Sequence, residues 1–306
     1  MPAARQTAAD FSPEVMRLFD QYVHGQIDRR GFLDRAARFT AGGTAGAVAL
    51  LAALSPDFAG AQQVAPGDAR ISAGVVEFDS PRGYGKGRAY LVRPANAAGP
   101  RPVVLVVHEN RGLNPHIEDI ARRLALDGFI ALAPDALFPL GGYPGDEDKA
   151  RAAFATLDQG KTVEDFVAAA GHARTLGGGN GKLGAVGFCY GGGVVNMLAT
   201  RVPELQAAVP FYGTQPKAED VAKIQAAMLI HYAETDDRIN AGITAFEAAL
   251  KSAHVRYQLF VYPGTQHGFN NDTTPRYDKA AAALAWKRTI DFFKKQLAGR
   301  PEAFPR

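Results

Sequence analysis

Val186-Gly187-Phe188-Cys189-Tyr190-Gly191-Gly192-Gly193 reads as a β-strand that runs into a glycine-lined turn and then a helix. A G-x-C-x-G turn of this kind sets its central residue in a strained, exposed backbone position, where a nucleophile is useful. Flanking glycines remove the Cβ atoms that would collide with the neighbouring strand and helix. The helix that follows, from about Gly192 to Arg201, directs its N-terminus at the sulfur and favours thiolate over thiol. The competing reading is an inert, buried cysteine in a Gly-rich connection; the spacing favours the nucleophile. Cys189 is the only cysteine among 306 residues, so neither an intramolecular disulfide nor a thiolate-built zinc site is expected.

Outward from this turn the pattern is α/β. Val75–Phe78 and Gly87–Val92 alternate like a hairpin of half-exposed strands, joined through Pro81–Gly85. Val103–Val107 is an unbroken, mostly β-branched run, as expected of a strand covered on both faces. A helix over Ile117–Asp127 ends at Gly128, and Phe129–Ala133 is the next strand. Helices follow near Glu147–Ala155 and Val163–Thr175, then the strand Leu183–Gly187 that enters the turn. Beyond it come strands at Ala207–Tyr212, Met228–Ala233 and Arg256–Tyr262, with helices at Ala241–Ala253 and Asp278–Leu297. Strands and helices in alternation predict one doubly wound, mostly parallel sheet with helices on both faces.

Composition removes several functions. Lys plus Arg (34) nearly balances Asp plus Glu (31), and a scattered net charge of +3 gives no nucleic-acid footprint. The seven histidines show no H-x-x-x-H or similar spacing, so no metal is expected, and nothing implies another cofactor.

The first sixty residues differ in kind. Asp28-Arg29-Arg30-Gly31-Phe32-Leu33 resembles the twin-arginine export motif. An apolar, uncharged stretch from Phe39 to Leu54 follows, short for a membrane span but suited to a signal-peptide core. Ala59-Gly60-Ala61 offers small residues where a signal peptidase reads, so the mature chain would begin at Gln62. The expectation is a leader over 1–61 and one catalytic domain over 62–306, with export to the periplasm or beyond and no stable membrane span. The alternative is an N-terminal helix docked on the domain, Arg29 and Arg30 being ordinary surface charge in a cytoplasmic protein. Phe11–Ile27 has a helical pattern that an export signal does not require.

In doubly wound sheets, chemistry collects in loops at the carboxyl ends of strands. Three polar residues fall there besides Cys189: Glu109 after Val103–His108, Asp236 after Met228–Ala233, and His267 after Arg256–Tyr262. Nucleophile, acid and histidine in that order match the α/β-hydrolase order. Asp237 competes with Asp236 as the acid, and each of the three has an ordinary loop reading beside it.

His108-Glu109-Asn110-Arg111-Gly112-Leu113, Ala133-Pro134-Asp135, Gly187–Gly192, Asp236 and His267-Gly268-Phe269 together resemble the dienelactone hydrolase family over about 71–297. The resemblance implies carboxymethylenebutenolidase-like hydrolysis of a small-molecule lactone or ester by a Cys189-His267-Asp236 triad. It also implies that Glu109 hydrogen-bonds the resting thiol, and that the Tyr190 and Asn110 backbone amides form the oxyanion hole. Two arginines that bind the substrate carboxylate in the family are absent here. Their matching places hold Ala136-Leu137-Phe138-Pro139 and Asn271, which points away from dienelactone itself. Arg111 and Arg276 are candidate replacements, with Phe138 and Tyr212 as candidate pocket walls. A non-enzymatic binding protein, or a thiol redox sensor using Cys189, are the other readings.

Overall fold

The computed structural model describes residues 6–298. Four helices come first: α1 (Pro13–Val23), α2 (Arg29–Ala36), α3 (Gly43–Leu54) and α4 (Phe58–Ala61). The chain then runs β1 (Ile71–Ser80), β2 (Gly85–Pro94), β3 (Arg101–Val107), α5 (Pro115–Leu126), β4 (Ile130–Pro134), α6 (Glu147–Ala155), α7 (Gln159–Arg174) and β5 (Gly179–Phe188). It continues with α8 (Tyr190–Arg201), β6 (Leu205–Phe211), α9 (Ala218–Val221), β7 (Ala227–Thr235), α10 (Asp237–Asn240), α11 (Ile243–Ser252), β8 (Tyr257–Gln266) and α12 (Lys279–Leu297).

The eight strands form one sheet in the order β1-β2-β4-β3-β5-β6-β7-β8. The β1–β2 hairpin and the β2–β4 pair are antiparallel, and the remaining neighbours are parallel. This is the α/β-hydrolase-like architecture expected, and β3 shows why the sequence folds so. Val103, Leu105 and Val107 belong to the apolar cluster on one face, with α7, α8 and α11. Val104 and Val106 belong to the other, with α5 and α12. A strand buried on both faces has no polar alternation to show, which is what the unbroken valine run predicts.

Residues 15–54 build a third apolar cluster of their own. Ser12 accepts from the Val15 amide and Pro13 opens α1, an N-terminus of ordinary chemistry. Helical spacing then buries Val15, Met16, Leu18, Phe19 and Tyr22 on one face. Asp28 caps α2 by accepting from Gly31, which puts Arg29 and Arg30 in its first turn, where a cation is disfavoured. Arg29 meets Asp148 of α6 at 2.9 Å, which offsets that cost. Helix α3 carries the apolar run, burying Ala47, Leu51 and Leu54 while Val48 is 44% exposed. By length and composition residues 43–61 could cross a bilayer; near an N-terminus a signal sequence has the same signature.

The tightest backbone packing lies where α8 begins. A Cβ on Gly192 would stand 2.5 Å from the Phe211 carbonyl oxygen and 2.9 Å from Gly213 Cα, both main-chain atoms that cannot step aside. Gly192→Ala therefore lowers stability by about 2 kcal/mol or more, read as a reduced midpoint in urea unfolding followed by circular dichroism.

Candidate active site

Cys189 stands between β5 and α8 with φ 54° and ψ −114°, a backbone conformation that costs a side-chain-bearing residue about 1–3 kcal/mol. The turn is forced into it from both sides. The Cys189 amide donates to the Phe211 carbonyl at 3.1 Å, tying the elbow to the end of β6. On the other side α8 presses against β3, where a Cβ on Gly191 would lie 2.2 Å from the Val107 oxygen. Tyr190, first residue of α8, presents a helix N-terminal amide that has no intrahelical acceptor, and Asn110 follows β3 alongside.

The carboxyl ends of β7 and β8 bring the other two groups. His267 Nδ1 contacts Asp236 Oδ2 at 2.5 Å, with both side chains 4% exposed. Asp236 is fixed in turn as the N-cap of α10, its other oxygen accepting from Ile239. Asp237, the competing acid, lies in that helix and faces solvent. The ring of Tyr212, at φ 37° beyond β6, packs on His267 with centroids 4.9 Å apart.

The expected exposure of the sulfur is not what the fold gives: Cys189 is 9% exposed. The cover is the N-terminal segment. Helix α1 ends at Val23, and His24 reaches into the elbow with Nε2 3.5 Å from Cys189 Sγ and 3.3 Å from His267 Nε2. The His24 Nδ1 side is held by Asp20, through its main-chain oxygen at 2.8 Å and its carboxylate at 3.2 Å. The Val23 carbonyl accepts from Asn110 Nδ2 and from Arg111, both at 3.1 Å. Arg276 reaches the Asp20 carboxylate at 3.5 Å and lies over the Phe19 ring.

A cavity of about 330 Å³ remains between this segment and the domain, lined by Cys189, His267, Glu109, Asn110, Arg111 and Arg276 among others. The Glu109 carboxylate accepts from Asn271 Nδ2 at 3.0 Å. Asn271 stands where the family's arginine was expected, so a neutral amide takes the place of a cation. His108 is structural: its Nδ1 meets the Glu109 carbonyl and its Nε2 accepts from the Ala136 amide, pinning the ends of β3 and β4 together. Phe138 and Tyr212 are not among the residues lining the cavity. Tyr212 lies behind His267, and Phe138 is turned away altogether. The Phe138 ring sits over Arg88, 4.7 Å from its guanidinium, and the Arg88–Asp135 pair at 2.8 Å fixes that turn against β2. A larger groove of about 700 Å³ lies at the amino ends of β7 and β8, with no histidine or cysteine in its lining.

The charges around the sulfur decide its ionisation. Burial alone would raise the Cys189 thiol, but the charge of His267 and hydrogen bonds from His24 and His267 bring it down to about 5. Burial likewise works against a protonated His267, and the thiolate and Asp236 outweigh it, raising the imidazole to about 10. Both shifts run in the direction that favours a thiolate on Cys189 and the proton on His267. His24 is also raised despite its burial, by Asp20 and Cys189.

Three donors from positions 24, 189 and 267 thus meet within 4.8 Å of one another. No local spacing could announce a cluster whose members are so far apart in sequence. The only sequence signal near His24 is the helical pattern of Phe11–Ile27, which contains it.

Residues 88–297 match the model of the dienelactone hydrolase family, and residues 1–40 match a second model described as YqhI-like. The Escherichia coli (strain K12) protein named "Putative carboxymethylenebutenolidase" is 35% identical over 222 residues, covering 68% of this chain and 82% of its own. The crystal structure of a "Putative Dienelactone Hydrolase" from Klebsiella pneumoniae superposes with a TM-score of 0.64 at 30% identity, over 73% of this chain and 99% of that one. The dienelactone hydrolase-like promiscuous phosphotriesterase P91, from metagenomic libraries, gives 0.63 at 25% identity, over 75% of this chain and all of its own.

Because the thiol is depressed in the folded chain, thiolate is fully present above about pH 6 and is lost as pH falls through about 5. Iodoacetamide labelling of Cys189 is expected to show its half-rise near pH 5, whereas a free cysteine titrates near ~8.5; mass spectrometry of the labelled chain against pH checks it.

Proposed function

The chain belongs to the dienelactone hydrolase family and is a hydrolase of carboxylic esters or lactones, and we propose that it works through a thioester on Cys189. The observation that carries the proposal is the juxtaposition of a positive-φ elbow cysteine with a histidine held by a buried carboxylate.

The Cys189 thiolate attacks the ester carbonyl carbon, and the backbone amides of Tyr190 and Asn110 receive the oxygen in this reading as it becomes anionic. Collapse expels the alcohol oxygen, which takes the proton from His267, and leaves the acyl group on sulfur as a thioester. His267, now neutral, removes a proton from water as the water attacks the thioester. A second collapse returns the thiolate, the imidazolium and the free acid. Asp236 keeps the Nδ1–H directed toward itself through both steps, so Nε2 always faces the reacting atoms. Arg111 and Arg276 supply cationic anchoring on the cavity wall, from other positions than the family's two arginines. Glu109 acts from the same wall, its carboxylate set by Asn271.

Substrate and α1 occupy one space. Asp20, Val23 and His24 take up Arg276, Asn110, Arg111 and Cys189, the groups a substrate would use. Turnover therefore needs this segment lifted or removed. The twin-arginine-like motif and the Ala59–Ala61 sequence favour removal after export through the twin-arginine machinery to the periplasm or beyond.

Cys189→Ala is expected to lower p-nitrophenyl acetate hydrolysis by about 10³-fold or more. Asp236→Asn costs about 10²–10⁴-fold in kcat because the wrong tautomer is favoured, while Asp237→Asn leaves kcat close to the parent value. Retained turnover in Cys189→Ala would reject the nucleophile. Protein recovered from the cell envelope should begin at Gln62 by N-terminal sequencing, and should hydrolyse the ester faster than the full chain. An intact N-terminus there would count against removal of the leader.

A further inference from the structure

We propose that Cys189, His24 and His267 together bind a thiophilic divalent cation of the zinc class, which clasps the N-terminal segment onto the cleft. The proposal goes beyond ester hydrolysis and does not depend on it.

Bond lengths test the fit first. Zinc bonds of about 2.3 Å to sulfur and 2.0–2.1 Å to imidazole nitrogen, at tetrahedral angles, set nitrogen–nitrogen separations of about 3.3 Å and sulfur–nitrogen separations of about 3.6 Å. The observed separations are 3.3 Å between His24 Nε2 and His267 Nε2, and 3.5 Å between His24 Nε2 and Cys189 Sγ. The third edge of the triangle closes within 4.8 Å.

Orientation is the second test. A ligand histidine is normally aimed by a carboxylate or carbonyl on its other ring nitrogen. Asp236 does this for His267 at 2.5 Å, and Asp20 does it for His24 at 3.2 Å. Both Nε2 atoms are thereby directed at the sulfur. A soft thiolate with two imidazoles selects zinc-like ions over calcium or magnesium, and Cys189 and His267 both line the cavity from which a fourth ligand, water, would come.

One group opposes the ion. Arg238 Nη2 lies 3.0 Å from His24 Nε2, on the atom the metal would take. Arg238 is exposed, so its guanidinium can turn to solvent as the cation enters. The balance is simple: the cation takes the sulfur lone pair of the thiolate and one lone pair from each Nε2, and the protons that His267 and His24 hold on those nitrogens leave to solvent. No oxidant or other reactant is needed. Metal and substrate compete for the same sulfur, so the loaded chain is closed to ester.

The test is a Co²⁺ titration of the full 306-residue chain, stripped with chelator and followed by absorbance with no ester present, then repeated by competition with Zn²⁺. The parent should bind one equivalent and develop a near-ultraviolet thiolate-to-cobalt band, which Zn²⁺ abolishes. His24→Ala should weaken binding by at least about tenfold, and Asp20→Asn by about tenfold. Arg238→Ala should tighten it severalfold, an outcome that a purely packing role for His24 does not give. Absence of the thiolate band in the parent, or equal affinity in His24→Ala, would overturn the proposal, as would weaker binding in Arg238→Ala. Loss of ester turnover alone bears on the thioester mechanism and leaves these absorbance readings as they are.

Discussion

Everything in this site hangs on how closely α8 is driven between the ends of β3 and β6. The Gly191 and Gly192 backbones lie against the carbonyls of Val107 and Phe211 at distances that leave no room for a Cβ. That wedge holds Cys189 at positive φ and turns its sulfur toward the loops after β7 and β8, where Asp236 and His267 wait. The strain is local and the cores on either side of the sheet supply the stability that sustains it. Loosening the wedge by one methyl group would move the sulfur and the Tyr190 amide together, since both sit on the first turn of the same helix.

What the sequence made legible was whatever the sheet itself dictates. The Gly-rich elbow, the valine run of β3 and the strand-terminal positions of Asp236 and His267 all follow from a parallel sheet with loops at one end. Asp236 over Asp237 was decided by capping: the residue that starts α10 must turn its side chain inward to accept from Ile239, and its free oxygen then faces His267. What could not be read was set by contacts across the chain. Phe138 was expected at the pocket, but Arg88 on β2 draws its ring the other way. The expected exposure of Cys189 failed because residues more than 160 positions upstream cover it.

The departures from the family's pattern are connected. With Asn271 where an arginine was expected, Glu109 has a neutral partner, and the cations of the cavity are Arg111 and Arg276 instead. Both are nearly fully buried, and a buried guanidinium demands anionic or carbonyl partners. In the full chain α1 meets that demand with Asp20 and the Val23 carbonyl, while Glu147 lies 3.5 Å from Arg111. The segment thus satisfies the cleft chemically as well as filling it.

The way that segment is held follows from where its apolar surface goes. Its buried hydrophobic residues, from Val15 to Leu54, pack on one another in a cluster separate from the two cores of the catalytic domain. Its grip on the cleft is different in kind: Arg29 to Asp148, Arg276 to Asp20, Arg151 to the Tyr22 carbonyl, Asn110 and Arg111 to Val23, and His24 to the sulfur. Undocking α1, α2 and α3 as a unit therefore exposes little of their shared hydrophobic core and chiefly trades ion pairs for water, an exchange of small net cost that salt makes smaller. A segment with its core inside itself and its polar groups toward the active site can leave without unfolding, and leaves the catalytic cores intact behind it. The same argument explains why the exposed side of α3, including Val48, is free to meet an apolar surface while His24 still occupies the elbow.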